Sequence, residues 1–104
     1  MTEGFSIFMK EAEETGQAYN KMIMQLSQSS ALDKKTHELA YISVLSAVKM
    51  TGGLEFHVKS AKKLGASRDE VKSAVLVGLP AVGVTVIEAL KPALDAYDNK
   101  EEIE

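Results

Sequence analysis

The sequence predicts an all-α fold: one helical domain over residues 1–104, with five to six helices, assembled into an oligomer. Three observations lead there. Apolar residues recur at i, i+3, i+4 and i+7 along most of the chain, and strand-like alternation persists nowhere. Helix start and stop residues punctuate that pattern at Asp33, Gly52–Gly53, Gly65, Ser67 and Pro80. The uncharged stretch from Ser73 to Ile87 is more apolar than a domain this small can cover alone. A chain of this length buries only about two-thirds of the surface its unfolded form exposes. Burial against another subunit is the expectation for that stretch.

The elements follow in order. Phe5, Phe8, Met9 and Ala12 mark a first helix, which Gly16 interrupts. Tyr19, Met22, Ile23 and Leu26 carry the stripe of a second. Ser27–Gln28–Ser29–Ser30 reads as a polar connection. Asp33 is a natural N-cap, because its carboxylate can accept from the exposed N–H groups of the next turn. The helix it opens is expected over about Lys34 to Met50. Thr51–Gly52–Gly53 ends it, since paired glycines are costly inside a helix. Another helix runs from about Leu54 to Leu64, with Gly65 suited to the left-handed position that closes it. Ser67 and Glu70 have the spacing of a capping box. The helix from Arg68 should stop near Leu79, before Pro80. A last helix is expected from Pro80 to Tyr97, kinked at Pro92, followed by a frayed charged tail from Asp98 to Glu102.

Composition narrows the function. Twelve Lys and Arg against fifteen Asp and Glu leave a formal charge of −3, mixed in sign along the chain. No dense basic patch supports nucleic-acid binding. The uncharged stretch is shorter than the roughly 20 apolar residues of a membrane span. The first residues lack the basic start and apolar run of a signal peptide, so a cytoplasmic location without membrane attachment is the expectation. There is no cysteine, which excludes disulfides and thiolate metal sites.

Two ionisable residues stand out because they lie on apolar faces. His57 shares a helix face with Leu54, Val58, Ala61 and Leu64, while Lys59, Lys62 and Lys63 lie largely opposite. Glu38 shares a face with Ile42 and Leu45. A buried acid without a partner is expensive. Glu38 could find one in His57, or could be a surface acid paired with Lys34 or Lys35. A lone histidine on an apolar stripe is more often a satisfied core residue than a catalytic one. His37 reads as the surface partner of Tyr41. The two histidines lack the i, i+4 spacing of a helical zinc site, and no metal or other cofactor is expected. Met9, Met22, Met24 and Met50 read as core filler, with Met50 also able to line a small apolar pocket.

Two runs carry a family likeness: Ala-Leu-Asp-x-Lys-Thr at residues 31–36, and Phe-His-Val-x-x-Ala-x-x-x-Gly-Ala-Ser at residues 56–67. Over about Ala31 to Leu90 the chain resembles the carboxymuconolactone decarboxylase superfamily, which includes the AhpD-like alkyl hydroperoxidases. The resemblance implies an AhpD-like helical domain in a homotrimer or homohexamer. In the peroxidase branch a glutamate and a histidine relay protons around a Cys-x-x-Cys pair. Glu38 and His57 match the first two; Met50 and Gly53 stand where the cysteines would be. Peroxide reduction of that kind needs an attacking thiolate and a resolving thiol, so it is excluded here. The decarboxylase branch also lacks the cysteines and keeps a histidine at the place of His57, although Leu54–Glu55–Phe56–His57 reads more like the peroxidase branch. The resemblance implies a lyase acting on a small organic acid or lactone, with His57 as acid/base and Glu38 as its orienter. Lys35, Lys49 or Lys59 could hold a substrate carboxylate. The competing expectations are a catalytically degenerate peroxidase homologue serving as a binding or assembly module, and a helical interaction protein that shares only the architecture.

Overall fold

The computed structural model describes residues 2–100, and over them the chain is all-α. Its helices are α1 (Glu3–Glu11), α2 (Glu13–Ser29), α3 (Lys34–Ala47), α4 (Leu54–Lys63), α5 (Arg68–Leu76), the single turn α6 (Leu79–Val82) and α7 (Leu90–Tyr97). Two 3₁₀ segments, Thr51–Gly53 and Gly83–Ala89, join α3 to α4 and α6 to α7.

The core lies between α3, α4, α5 and α7. Ile42 and Leu45 from α3 meet Leu54, Val58 and Ala61 from α4, and Val71, Ala74 and Val75 from α5 close the layer. Ala89, Ala93 and Ala96 complete it, their small side chains letting the last helix sit close. Fully burying a Val, Leu or Ile contributes roughly 1.5–3 kcal/mol, so this cluster dominates the fold. Side-chain bonds to main-chain oxygens cross-link it: Ser43 Oγ donates to the Ala74 carbonyl at 2.7 Å and the Tyr97 hydroxyl to the Ala66 carbonyl at 2.8 Å.

The helix boundaries follow from their caps. Asp33 accepts from the Thr36 N–H at 2.8 Å, as expected. Ser67 and Glu70 form the full capping box, and Glu70 also receives Lys35 Nζ at 3.2 Å, tying the start of α5 to α3. Gly65 has φ 97°, and bonds from Ala66 N to Ala61 O and from Gly65 N to Lys62 O close α4.

Several boundaries correct the sequence expectation. The first break falls at Ala12, not at Gly16. Gly16 is buried inside α2, where a Cβ would meet Met9 Sδ at 3.0 Å, so its role is close approach of two helices. Phe5, Phe8 and Tyr19 fasten that hairpin with ring centroids 5.8–6.1 Å apart. α2 continues to Ser29, because the serines there keep helical geometry. α3 stops at Ala47 rather than Met50: Val48 caps it, and Lys49 takes the left-handed conformation at φ 65°. α5 ends at Leu76, short of Leu79. The last helix is not continuous. Gly83, at φ 76° and ψ −160°, breaks it, whereas Pro92 causes no break. Pro92 falls in the first turn of α7, where a missing N–H costs no intrahelical bond.

The expected frayed tail is also corrected over its described part. Lys100 N bonds Asp95 O, Asn99 N bonds Ala96 O, and Asp98 grips Arg68 with two bonds of 3.0 Å. Glu101 and Glu102 lie outside the described residues.

The apolar stretch expected to be buried on most sides is only half covered within one chain. Ala74, Val75 and Val86 face the core, while Val77, Leu79, Val82, Val84 and Ile87 face outward. Residues Arg68–Tyr97 are apolar and long enough to cross a membrane by composition alone, with a mean hydropathy of 1.9 over the best window. Here they are broken at Gly83, and α7 packs against α4 and α5. The methionines are a second correction. Met22, Met24 and Met50 are exposed rather than filling a core: Met22 and Met24 lie on α2, which packs chiefly on α1, and Met50 lies in the turn after α3.

Candidate functional site

α3 and α4 cross so that Glu38 and His57, 19 residues apart, meet side by side. His57 Nδ1 lies 2.7 Å from Glu38 Oε2, and both side chains are largely shielded, at 25% and 16% exposure. The local sequence explains the meeting. The buried stripe of α3 carries Ile42 and Leu45, and Glu38 sits one turn before Ile42 on the same side. Leu54, Val58 and Ala61 anchor α4 against them, which brings His57 to the rim of the α3–α4 contact. A carboxylate accepts only, so Nδ1 is the donor facing it, and in the neutral ring this leaves the lone pair on Nε2. Among the described residues Nε2 has no hydrogen-bond partner.

Aromatic rings hold the imidazole in place. The Tyr41 ring lies 4.4 Å from His57 centroid to centroid, and Phe56 meets it edge-on at 5.1 Å. Burial pushes the Tyr41 phenol above its ordinary value of 10.0, with smaller contributions from Tyr19 and Glu38. Tyr41 thus belongs to the His57 site. The sequence reading placed it beside His37 on the surface; the signal for its real position was its spacing, three residues after Glu38 and so on the same side of α3.

A cavity of about 350 Å³ opens beside the pair, on the Glu38 side. Lys34, His37 and Glu38 from α3 line it together with Ser60 and Lys63 from α4. Leu64 lines it too, and is exposed there rather than buried with the rest of its stripe. His57 is not among the lining residues. A second, shallower groove of about 460 Å³ runs between α3 and α5 past Ser43, Ser73 and Val77.

The lysines proposed from sequence as carboxylate holders lie elsewhere. Lys35 is engaged by Glu70, and Lys59 by Glu55 within its own helix. Lys49 lies past the end of α3, at the opposite end from Lys34. Lys34 and Lys63, which no sequence argument singled out, occupy the cavity instead; their convergence depends on the helix crossing. Glu38 pairs with His57 and with neither Lys34 nor Lys35.

Met50 and Gly53 flank the 3₁₀ turn before α4, with Gly53 N donating to Met50 O at 3.2 Å. Met50 is 62% exposed and lines neither cavity. A Cβ on Gly53 would touch only Leu45, at 3.4 Å. Among the described residues no three His, Cys, Asp or Glu side chains converge as a metal site.

Compared with known families, residues 13–96 match the carboxymuconolactone decarboxylase family. No curated protein matches the chain, and no solved structure does.

Proposed function

The chain belongs to the carboxymuconolactone decarboxylase family, and on that premise we propose a non-redox lyase acting on a small organic acid or lactone. One observation carries this reading: the 2.7 Å contact of His57 Nδ1 with Glu38. It fixes the tautomer and leaves Nε2 as the working nitrogen, the arrangement a general acid/base needs. In the reaction the C–C bond to a carboxylate breaks and carbon dioxide leaves. The electron pair passes into the unsaturation of the lactone, and a proton moved by His57 ends on carbon. Glu38 orients the ring and balances its charge while the proton is in transit. Thiol peroxidase chemistry is absent from the proposal, because Met50 and Gly53 offer neither nucleophile nor resolving thiol.

The test is turnover of a panel of unsaturated lactones and small carboxylic acids, following carbon dioxide release. His57→Ala and Glu38→Gln should each abolish release while the oligomer stays intact. Full activity in both variants overturns the mechanism.

A second reading has one observation in its favour: the cavity reaches Glu38 but not His57. On this reading the protein is a degenerate peroxidase homologue that binds or assembles without catalysis. Met50→Cys together with Gly53→Cys separates the two histories. Peroxide reduction by the double variant would support a retained proton relay.

Self-association is part of the proposal. The outward residues Val77, Leu79, Val82, Val84 and Ile87, and the α2 residues Met22, Ile23, Met24 and Leu26, are exposed large apolar side chains that support it. A homotrimer or homohexamer would cover them. Sedimentation should give that mass, and Val84→Glu should lower it; a monomer at micromolar concentration would refute the assembly.

A further inference from the structure

The cations of this protein divide into those already occupied and those left waiting. Lys35, Lys59, Lys72 and Arg68 each hold a carboxylate, and Lys62 lies over the Tyr97 ring while donating to its carbonyl. Lys34 and Lys63, like Lys10, Lys21 and Lys49, have no ion-pair partner among the described residues, and what sets these two apart is their place in one cavity. They come from opposite ends of different helices, the first turn of α3 and the last turn of α4, yet both line the cavity beside Glu38. His37 joins them there, three residues along α3 from Lys34. The one carboxylate in the lining, Glu38, is already committed to His57. Like charges gathered in a cleft with low-dielectric walls focus an attractive field on an anion.

The remaining wall decides what kind of anion. Leu32 and Leu64 line the same cavity, and both are exposed large apolar residues. A compact inorganic ion would satisfy the lysines and leave these two side chains in water. An organic carboxylate uses both halves of the site: its oxygens meet the ammonium groups through charge-assisted hydrogen bonds, and its hydrocarbon covers the leucines.

We infer that the cavity formed by Lys34, His37, Lys63, Leu32 and Leu64 is a carboxylate-recognition subsite that seats a small organic acid against the Glu38 side of the Glu38–His57 pair. That the bound acid is a substrate rests on the function proposed above; the recognition itself does not. Lys34 and Lys63 are then specificity-determining residues. They select for a negative charge before any chemistry begins.

The experiment is a titration of benzoate into the full chain, followed by NMR shifts of the backbone amides. Methyl benzoate serves as the uncharged control and inorganic phosphate as the competitor. Saturable shifts are expected at Lys34, His37 and Lys63. Lys34→Gln with Lys63→Gln should weaken benzoate about tenfold or more, the loss expected when charged hydrogen bonds are removed. Lys63→Gln alone, a single exposed substitution, should give part of that loss. Lys35→Gln and Lys59→Gln should leave affinity unchanged. Unaltered affinity in the double variant overturns the inference, as does equal binding of methyl benzoate or stronger binding of phosphate than of benzoate. His57→Gln, whose amide N–H can still donate to Glu38 while the ring that would move the proton is gone, separates this inference from the proposed reaction, since benzoate binding should survive in it. Lysine-dependent binding without turnover of any acid would sink the reaction and keep the subsite.

Discussion

His57 Nδ1 and Glu38 Oε2 lie 2.7 Å apart on two different helices, and both are mostly sealed from solvent. Neither can leave without stranding the other. Glu38→Ala should therefore destabilise the fold by about 1–3 kcal/mol, the cost of an unsatisfied shielded polar group. Glu38→Gln keeps a side-chain oxygen that can accept from Nδ1 and should cost less. Urea midpoints of the two variants check this, and equal losses would argue against a specific bond.

Lys49 sits at φ 65° just past the end of α3. Met50 N bonds Leu45 O across it, so the backbone there is committed to the left-handed turn. A side chain in that conformation costs roughly 1–2 kcal/mol relative to glycine. Lys49→Gly should raise the melting temperature by a few degrees, through about 1 kcal/mol of relieved strain. A fall in melting temperature would show that the lysine has a contact outweighing the strain.

Acid should unravel the contacts that hold helix ends. Thr36 N–H holds Asp33 below its ordinary value of 3.8, and Arg68 does the same for Asp98. Glu70 is held below 4.5, first by the Ser67 N–H and then by Lys35. A carboxyl depressed in the native state binds fewer protons folded than unfolded, so its stabilisation is complete above the ordinary value. That contribution disappears as pH falls through the depressed native value. Stability should therefore decline on acidification below about the ordinary carboxylate range. Asp98→Asn should be less stable than wild type at neutral pH, and the two curves should converge in strong acid. Parallel curves would remove the Arg68–Asp98 contact from the account.

Tyr41 should ionise above the ordinary tyrosine value. Its phenol is raised above 10.0 by burial, assisted by Tyr19 and Glu38. A raised native value means that the folded state disfavours phenolate, so stability is lost as pH rises through it. Phenolate absorbance should show one tyrosine titrating late, and Tyr41→Phe should delete that step. Tyr41→Phe also keeps the ring on His57, so any turnover should survive; loss of activity would assign the hydroxyl a direct role.

The sequence determined the all-α class, the Asp33 cap, the Ser67–Glu70 capping box and the Gly65 stop, because each depends on residues a few positions apart. It also placed Glu38 and His57 on inward faces, since helical periodicity is a local property. The Gly83 break and the left-handed Lys49 were harder to read. Pro92 and Gly16 are the stronger breaker signals, yet first-turn geometry and close helix packing neutralised both. The convergence of Lys34, His37 and Lys63 was illegible in the chain, and the spacing of Tyr41 told only its side of α3, not its contact with His57. Those positions depend on how α3 and α4 cross, and the crossing is set by the packing of Ile42, Leu45, Leu54 and Val58 in the core. Local periodicity tells which way a side chain points, whereas only the packed core decides what it meets.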